Sequence, residues 1–359
     1  MLKMKLEGSP RERGCAHGEH FRTSIRELAE IRNGLVRKYL KDLHPLELEQ
    51  LAFDQVQNLS QVTPLFEEFC GIAEGAHLSL TELMILNNYT DMRDFGGHSK
   101  PGLAAEEGGC SAFSLRTADR VFIGQTWDMH ASAKPYMLLL DVESNVPTQV
   151  LTVTGCLGLC GVNAYGLSVM INNLHCRETS LGLAWPALVR GMLHQENVED
   201  ALRFFDHHFP SSGHNYLVAD RTRTVNLEST GQRREMTYDS QEEGFTFHTN
   251  HYLSDVLRSI EIEERLSPTT YQRLSALEAY RQKLSQLGPR QFDDLIEDIF
   301  LEKECHTVMM PGTGTPHASA TCGGILTELR TGQGTAFAGF YSEGDHVQFE
   351  LPHLDHKLI

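Results

Sequence analysis

No stretch of this chain reaches the 18 or so apolar residues that a membrane-crossing helix needs. The opening residues, MLKMKLEGSPRERG, carry no apolar run behind their lysines, so no secretory signal is expected. Positive charge is scarce: 31 Lys and Arg stand against 48 Asp and Glu, a formal net charge of -17. Such a field repels phosphate backbones and anionic lipid, which argues against nucleic acid or a membrane as partner. Zinc spacing is missing as well. Cys156 and Cys160 flank LGL with no second pair behind them, and DHHF at 206–209 offers only two histidines, so no metal is expected. GGCS, GTGTPH and TCGGIL lack the lysine of a phosphate loop, and no dinucleotide fingerprint follows a strand, so no cofactor is expected. The eight cysteines form no compact framework, which points to free thiols in a reducing, cytoplasmic compartment.

What is present divides into two textures. Residues 15–93 read as helical: Ile25, Leu28, Ile31 and Leu35 recur at spacings of three and four, and Ser79 with Glu82 forms a capping-box pattern. After residue 110 come short alternating runs, CSAFSLRT, RVFIGQTWD, YMLLLDVE, TQVLTVTG and GLSVMINN, with TADR as a hairpin turn between the first two. Helices are expected again at 185–206 and 253–298, and strands near 214–228, 304–310, 321–328, 334–341 and 346–350. Helices, then strands, then helices, then strands predict a layered α+β domain, not alternating βαβ units. There is no internal repeat and no low-complexity tract.

The two textures meet at EEGGCSAFS, where a glycine pair delivers Cys110 to the first position of a strand. A cysteine taken at random is most often a small core residue. Here Gly109 leaves the preceding carbonyl unhindered, the run GGHSKPGLAAEEGG offers a loop that can be cut, and Asp128 follows eighteen positions on, at the end of GQTWD. These features suggest a cysteine that becomes an N-terminus: its thiol attacks the Gly109 carbonyl, an acyl shift makes a thioester, and water releases the chain. The freed residue then carries nucleophile and base together, because an α-amine near 8 and a thiol near 8.5 exchange a proton easily around neutral pH.

GGCSAF, GQTWD, GVNAYGLSVMINNL and HTNHY, preceded by GSPRERGCAHGEHFRTSI, resemble the acyl-coenzyme A:6-aminopenicillanate acyltransferase (isopenicillin N acyltransferase) family of N-terminal nucleophile hydrolases. The likeness runs from about residue 8 to 280 and is loose beyond. It implies a four-layer αββα fold, cleavage between Gly109 and Cys110 into a helical leader (1–109) and a catalytic piece (110–359), and a heterodimer of those two fragments. It also implies that Asp128 orients the new α-amine and that Asn250 helps form the oxyanion hole. Arg273 falls where relatives often place an arginine, with carboxylate binding set against an ordinary surface arginine. On the residues themselves, Gln125, in the same motif as Asp128, is expected to bind substrate together with Asn172 and Arg273, and Asn172 and Asn173 offer polar side chains to a substrate pocket. Trp127 reads as packing, Asn163 as a hairpin residue, and His251 is unnecessary as a base once the cysteine supplies its own.

The function expected is cleavage of the amide of a small N-acylated amine or amino acid through a thioester on Cys110. Transfer of the acyl group to an amine, with coenzyme A thioester as a second substrate, stays open beside hydrolysis. The reading from another class is a non-catalytic binding protein with an inert Cys110. A papain-like peptidase fits less well, because Cys110 opens a strand instead of capping a helix, where such thiolates are activated.

Overall fold

Periodic apolar spacing in the first ninety residues becomes six helices that follow one edge strand. β1 (Leu2–Leu6) precedes α1 (Pro10–His20), α2 (Arg22–Tyr39), α3 (Pro45–Leu59), α4 (Thr63–Ala76), α5 (Leu80–Asn87) and α6 (Tyr89–Asp94) in a computed structural model. It describes residues 1–95, 109–267, 269–284, 286, 290–301, 305, 308–310, 316 and 318–351, so most of the loop read as the cleavage segment lies outside the described residues. Ile25, Leu28 and Leu35 are buried on one face of α2, with Ile31 packed against the same core. The expected capping box is present: Ser79 N–H donates to Glu82 Oε2 at 2.8 Å, and Glu82 N–H returns to Ser79 Oγ at 3.2 Å. Ser9 and Glu12 repeat the device ahead of α1.

The leader helices cross so closely that side chains are excluded. A Cβ on Gly14 of α1 would fall on the Glu68 carbonyl of α4, and one on Gly71 of α4 would fall on the Arg11 carbonyl. Beside this crossing the buried Glu68 carboxylate accepts from Arg13 at 3.3 Å and from Arg190 at 3.1 Å. That ties the leader to a helix of the second half. Buried charges held this way are satisfied by geometry, and removing one partner strands the others.

The second half supplies β2 (Ser111–Arg116), β3 (Val121–His130), β4 (Met137–Val142), β5 (Thr148–Val153), β6 (Cys160–Asn163), β7 (Ser168–Asn173), α7 (Trp185–Leu193), α8 (Val198–His207), β8 (His214–Ala219), β9 (Thr224–Ser229), β10 (Arg234–Ser240) and β11 (Gly244–His248). Then come α9 (Asp255–Arg258), α10 (Thr270–Leu284), α11 (Phe292–Leu295), β12 (Ser319–Glu328), β13 (Gln333–Ala338) and β14 (His346–Glu350). The strands form an eight-stranded sheet ordered β1-β4-β5-β6-β7-β8-β9-β10 and a six-stranded sheet ordered β11-β2-β3-β12-β13-β14. β2 and β3 pack on β7, and β11 on β8 and β9, so the sheets face each other. On the outer side of the larger sheet lie α7 and the leader helices; on that of the smaller, Leu277, Tyr280, Phe292 and Ile299 cover Phe113, Phe122 and Phe337. The order is helix, sheet, sheet, helix: the αββα layering that the resemblance implied.

Three local readings differ. Residues 253–265 hold only α9 and a 3₁₀ turn at Glu263–Arg265. Glu261 leaves the helical path because its carboxylate accepts from Tyr252 N–H at 2.7 Å and its backbone bridges to Cys176. Of the strand expected near 304–310, residues 305 and 308–310 are not in strand, and the others lie outside the described residues. β1 and β10 were not foreseen, β1 because its parallel partner β4 is more than 130 residues away. All eight cysteines are free thiols.

Candidate active site

Cys110 stands one residue ahead of β2, at the seam between the two sheets, and is 6% exposed. Four of the residues singled out in the sequence converge on it. The Cys110 carbonyl accepts from Asn172 Nδ2 at 2.9 Å and from Arg273 Nη1 at 2.8 Å. Arg273 also donates to Ser111 Oγ at 3.1 Å and, through Nη2, to Asn250 Oδ1 at 3.0 Å. Asn250 Nδ2 donates to the Asn173 carbonyl at 2.9 Å, and Cys110 Sγ lies 3.9 Å from the Asp128 carbonyl oxygen. A Cβ on Gly109 would collide with Arg273 Nη2 and Asn250 Oδ1. Glycine precedes the cysteine here because two site residues occupy the space a side chain would need.

Asp128 is placed by a break in pairing. The β3–β12 register shifts between Thr321 and Gly323, opposite Asp128 and Trp127. Such an irregularity redirects side chains beside a site. Thr321 Oγ1 donates to Asp128 Oδ1 at 2.7 Å and itself accepts from Met310 N–H at 2.8 Å. Asp128 Oδ2 is buried with no hydrogen-bond partner among the described residues. Burial pushes the Asp128 carboxyl up to about 7, against smaller downward pulls from Arg273, the Thr321 hydroxyl and the Gly109 amide. Burial, reinforced by the Asp128 charge, pushes the Cys110 thiol up to about 12. In the continuous chain the thiol is therefore fully protonated at neutral pH and needs a base.

The cavity beside Cys110 is walled by Trp127, Asp128, Asn173 and Asn250 from the second half and by Lys38, Tyr89 and Arg93 from the leader. Gln125, Asn172 and Arg273 do not line it. Gln125 is fully buried, its Oε1 accepting from Ile171 N–H at 2.7 Å across the sheet seam. Asn172 and Arg273 hold the Cys110 carbonyl from behind, and Arg273 is wholly buried, so neither reading of it as a surface or carboxylate-facing group describes its place. Strand parity separates the two asparagines of β7: Asn172 faces the seam and Asn173 the cavity. His251 is buried against Thr270 Oγ1 at 2.9 Å, and burial lowers it to about 4. Asn163 closes the β6–β7 hairpin, accepting from Tyr165 and Leu167 N–H. Thr321 went unnoticed in the sequence, since a threonine inside a strand carries no signal.

Residues 115–308 match the acyl-coenzyme A:6-aminopenicillanic acid acyl-transferase family. That span takes in Asp128, Asn172, Asn250 and Arg273, and Cys110 lies just ahead of it. Over 178 residues the chain is 31% identical to the 40 kDa form of acyl-coenzyme A:6-aminopenicillanic-acid-acyltransferase of Emericella nidulans; the match covers 49% of this chain and 48% of that relative, about half its length. Among solved structures, a variant of the conjugated bile acid hydrolase of Clostridium perfringens aligns at 10% identity over 69% of this chain and 100% of its own, with a TM-score of 0.45. Penicillin V acylase of Agrobacterium tumefaciens aligns at 12% identity over 64% of this chain and 82% of its own, with a TM-score of 0.38. With its match extending over more than half of the sequence, this chain belongs to the acyl-coenzyme A:6-aminopenicillanic acid acyl-transferase family.

Proposed function

We propose that this protein is a self-processing enzyme that cuts the Gly109–Cys110 bond and then uses Cys110 to cleave the amide of a small N-acylated amine or amino acid. The observation that carries this reading is the space at Gly109: Arg273 and Asn250 press on a residue without a side chain, directly before a buried thiol and beside a buried carboxylate. In the first step the Cys110 thiol proton passes to Asp128 and sulfur adds to the Gly109 carbonyl carbon. The Gly109–Cys110 C–N bond breaks, the nitrogen takes a proton to become the α-amine, and water hydrolyses the thioester to leave Gly109 as a carboxylate. In turnover the α-amine accepts the thiol proton, sulfur adds to the substrate carbonyl, the departing amine takes that proton, and water then hydrolyses the thioester on Cys110 to release the acid and restore the thiol.

Asn250 suits the oxyanion role. Its Oδ1 is held by Arg273 and one Nδ2 hydrogen by the Asn173 carbonyl, so the second Nδ2 hydrogen is left for the oxygen that gains charge. Asn250→Ala is expected to lower kcat about 10²-fold while the chain still folds; a variant with full activity removes Asn250 from the mechanism. Thr321 positions Asp128. Thr321→Val is expected to slow self-cleavage about tenfold and Thr321→Ser to restore it, followed as fragment formation on a denaturing gel.

Both pieces would stay together after the cut. Asp94 of the leader accepts from Arg265 at 2.8 Å and Ser212 at 2.6 Å, Thr90 Oγ1 accepts from Trp185 Nε1 at 2.8 Å, and β1 remains paired with β4. A second reading, transfer of the acyl group to an amine, is supported by the family match. The test is a panel of N-acyl amines and amino acids, with and without coenzyme A thioesters, given to the mature protein. Free acid and free amine as products support hydrolysis, and a new amide supports transfer. A single uncut band with no turnover of any panel member sinks both.

A further inference from the structure

The cavity wall includes an imidazole backed by a buried carboxylate, a pair that no step above uses. His214 Nε2, at the start of β8, lies 2.8 Å from Asp91 Oδ1 on α6, and Ser211 Oγ donates to Asp91 Oδ2 at 2.5 Å. Asp91 is 0% and His214 1% exposed. A carboxylate only accepts, so in its neutral form this imidazole carries its hydrogen on Nε2 and presents Nδ1 as a lone-pair acceptor. His214 lines the cavity, and Nδ1 is buried with no partner among the described residues. The β7–β8 register sets Asn173 directly opposite His214, which puts both side chains on one face of the sheet. Asn173 lines the same cavity, and its Oδ1 is likewise buried without a partner among the described residues. The Asn173 carbonyl meanwhile holds Asn250, so this face adjoins the wall next to Gly109 and Cys110. Two buried acceptors turned into one cavity call for a donor that the described residues do not supply.

We propose that His214 Nδ1 and Asn173 Oδ1 form a specificity subsite for a neutral hydrogen-bond donor, a hydroxyl or amide N–H, carried by the substrate in addition to the amide that is cleaved. Asp91 and Ser211 position the imidazole. A neutral donor fits better than an ammonium, because the Asp91 carboxylate is already engaged by His214 and Ser211, and Lys38 and Arg93 line the same cavity against the single carboxyl of Asp128. Arg93 is itself buried, its guanidinium 4.6 Å from the centre of the Tyr89 ring and 5.1 Å from that of Tyr39, so its charge is fixed in place. This inference rests on the amide-cleaving reading and narrows it to N-acyl amides bearing a second donor.

The experiment compares kcat/KM for pairs of N-acyl amides that differ by one hydroxyl exchanged for hydrogen, with the hydroxyl moved stepwise along the acyl and amine portions. The mature natural protein is expected to prefer one hydroxylated member about 10²-fold, because an analogue lacking the group leaves buried acceptors unpaired. His214→Phe, which keeps an aromatic ring against Trp185 and Tyr216, is expected to bring that ratio below about threefold. His214→Asn, which keeps an acceptor oxygen near the Nδ1 position, is expected to retain most of it. Asp91→Ala frees the ring nitrogens and is expected to lower the ratio about tenfold, a loss of discrimination that a general packing defect would not produce. The ratio compares two substrates on one enzyme preparation, so partial unfolding cancels. Turnover without preference at any hydroxyl position, or preference unchanged in His214→Phe, overturns the subsite alone. A preference for the matching ammonium over the hydroxyl overturns the neutral-donor assignment. No turnover of any amide by the natural protein removes the amide-cleaving reading and this subsite with it.

Discussion

Cys110→Ala should remain one 359-residue chain and lose at least about 10⁴-fold in activity, while the natural protein separates into fragments 1–109 and 110–359. The size of the effect follows from one sulfur having two tasks. In the mechanism proposed above it attacks the Gly109 carbonyl to create the N-terminus, and it would then carry the acyl group in every turnover. The variant loses both, and the peptide nitrogen of an uncut chain cannot serve as a base. Intact-mass measurement of the natural protein should find a large fragment beginning at Cys110 and a smaller one ending at or before Gly109. Full activity in an uncut natural chain, or continued cleavage and turnover in Cys110→Ala, would show this account of the site to be wrong.

Asp128→Asn should slow self-cleavage about 10³-fold and erase its dependence on pH near neutrality. In the continuous chain burial holds the Asp128 carboxyl up at about 7. Below that pH the group is protonated and cannot take the thiol proton; above it the carboxylate is available. Self-cleavage should therefore accelerate as pH rises through about 7, read as fragment formation in a series of buffers bracketing that value. An inflection that survives in Asp128→Asn assigns the proton transfer to another group. The same elevation gives the uncut Cys110→Ala chain a stability that declines with pH. Between about 4, where an unfolded aspartate loses its proton, and about 7, where the folded one does, the native state binds more protons than the unfolded state, so each step upward in pH favours unfolding. Glu261, also raised to about 7 by burial, adds with the same sign.

Cys110 carried a local signal, a glycine pair ahead of a cysteine that opens a strand, whereas Asp128 and Asn250 were singled out through the family resemblance, because a strand-end carboxylate and an asparagine before a helix read alone as ordinary turn or cap residues. Arg273 was legible as a position but not as an environment. It lies on α10, whose sequence has no clear apolar stripe to tell an inward arginine from an outward one. Asn172 and Asn173 are adjacent in sequence, and only the pairing partners of β7 decide which of them meets the cavity. Asp91 and His214 were beyond reach for a different reason. They are 123 positions apart, and each alone reads as an ordinary polar residue until α6 is laid against β8. The helical reading of 253–298 failed between α9 and α10 by the same route, since a tertiary contact at Glu261 outweighed a helical spacing.

The seam between leader and body has a consequence for how such a protein diversifies. The sulfur, Asp128 and Asn250 belong to the body, whereas Lys38, Tyr89, Arg93 and Asp91 belong to the leader. On the reading proposed here the reacting groups belong to the body alone, whereas the cavity wall that would select substrates is shared, with Asn173 and His214 from the body and Lys38, Tyr89 and Arg93 from the leader. The two stretches are joined by a segment that the proposed chemistry severs. Substitutions in α2 and α6 can alter which molecules are admitted without disturbing the group that attacks them, and a leader taken from a related chain would amount to a new recognition surface set over an old reagent.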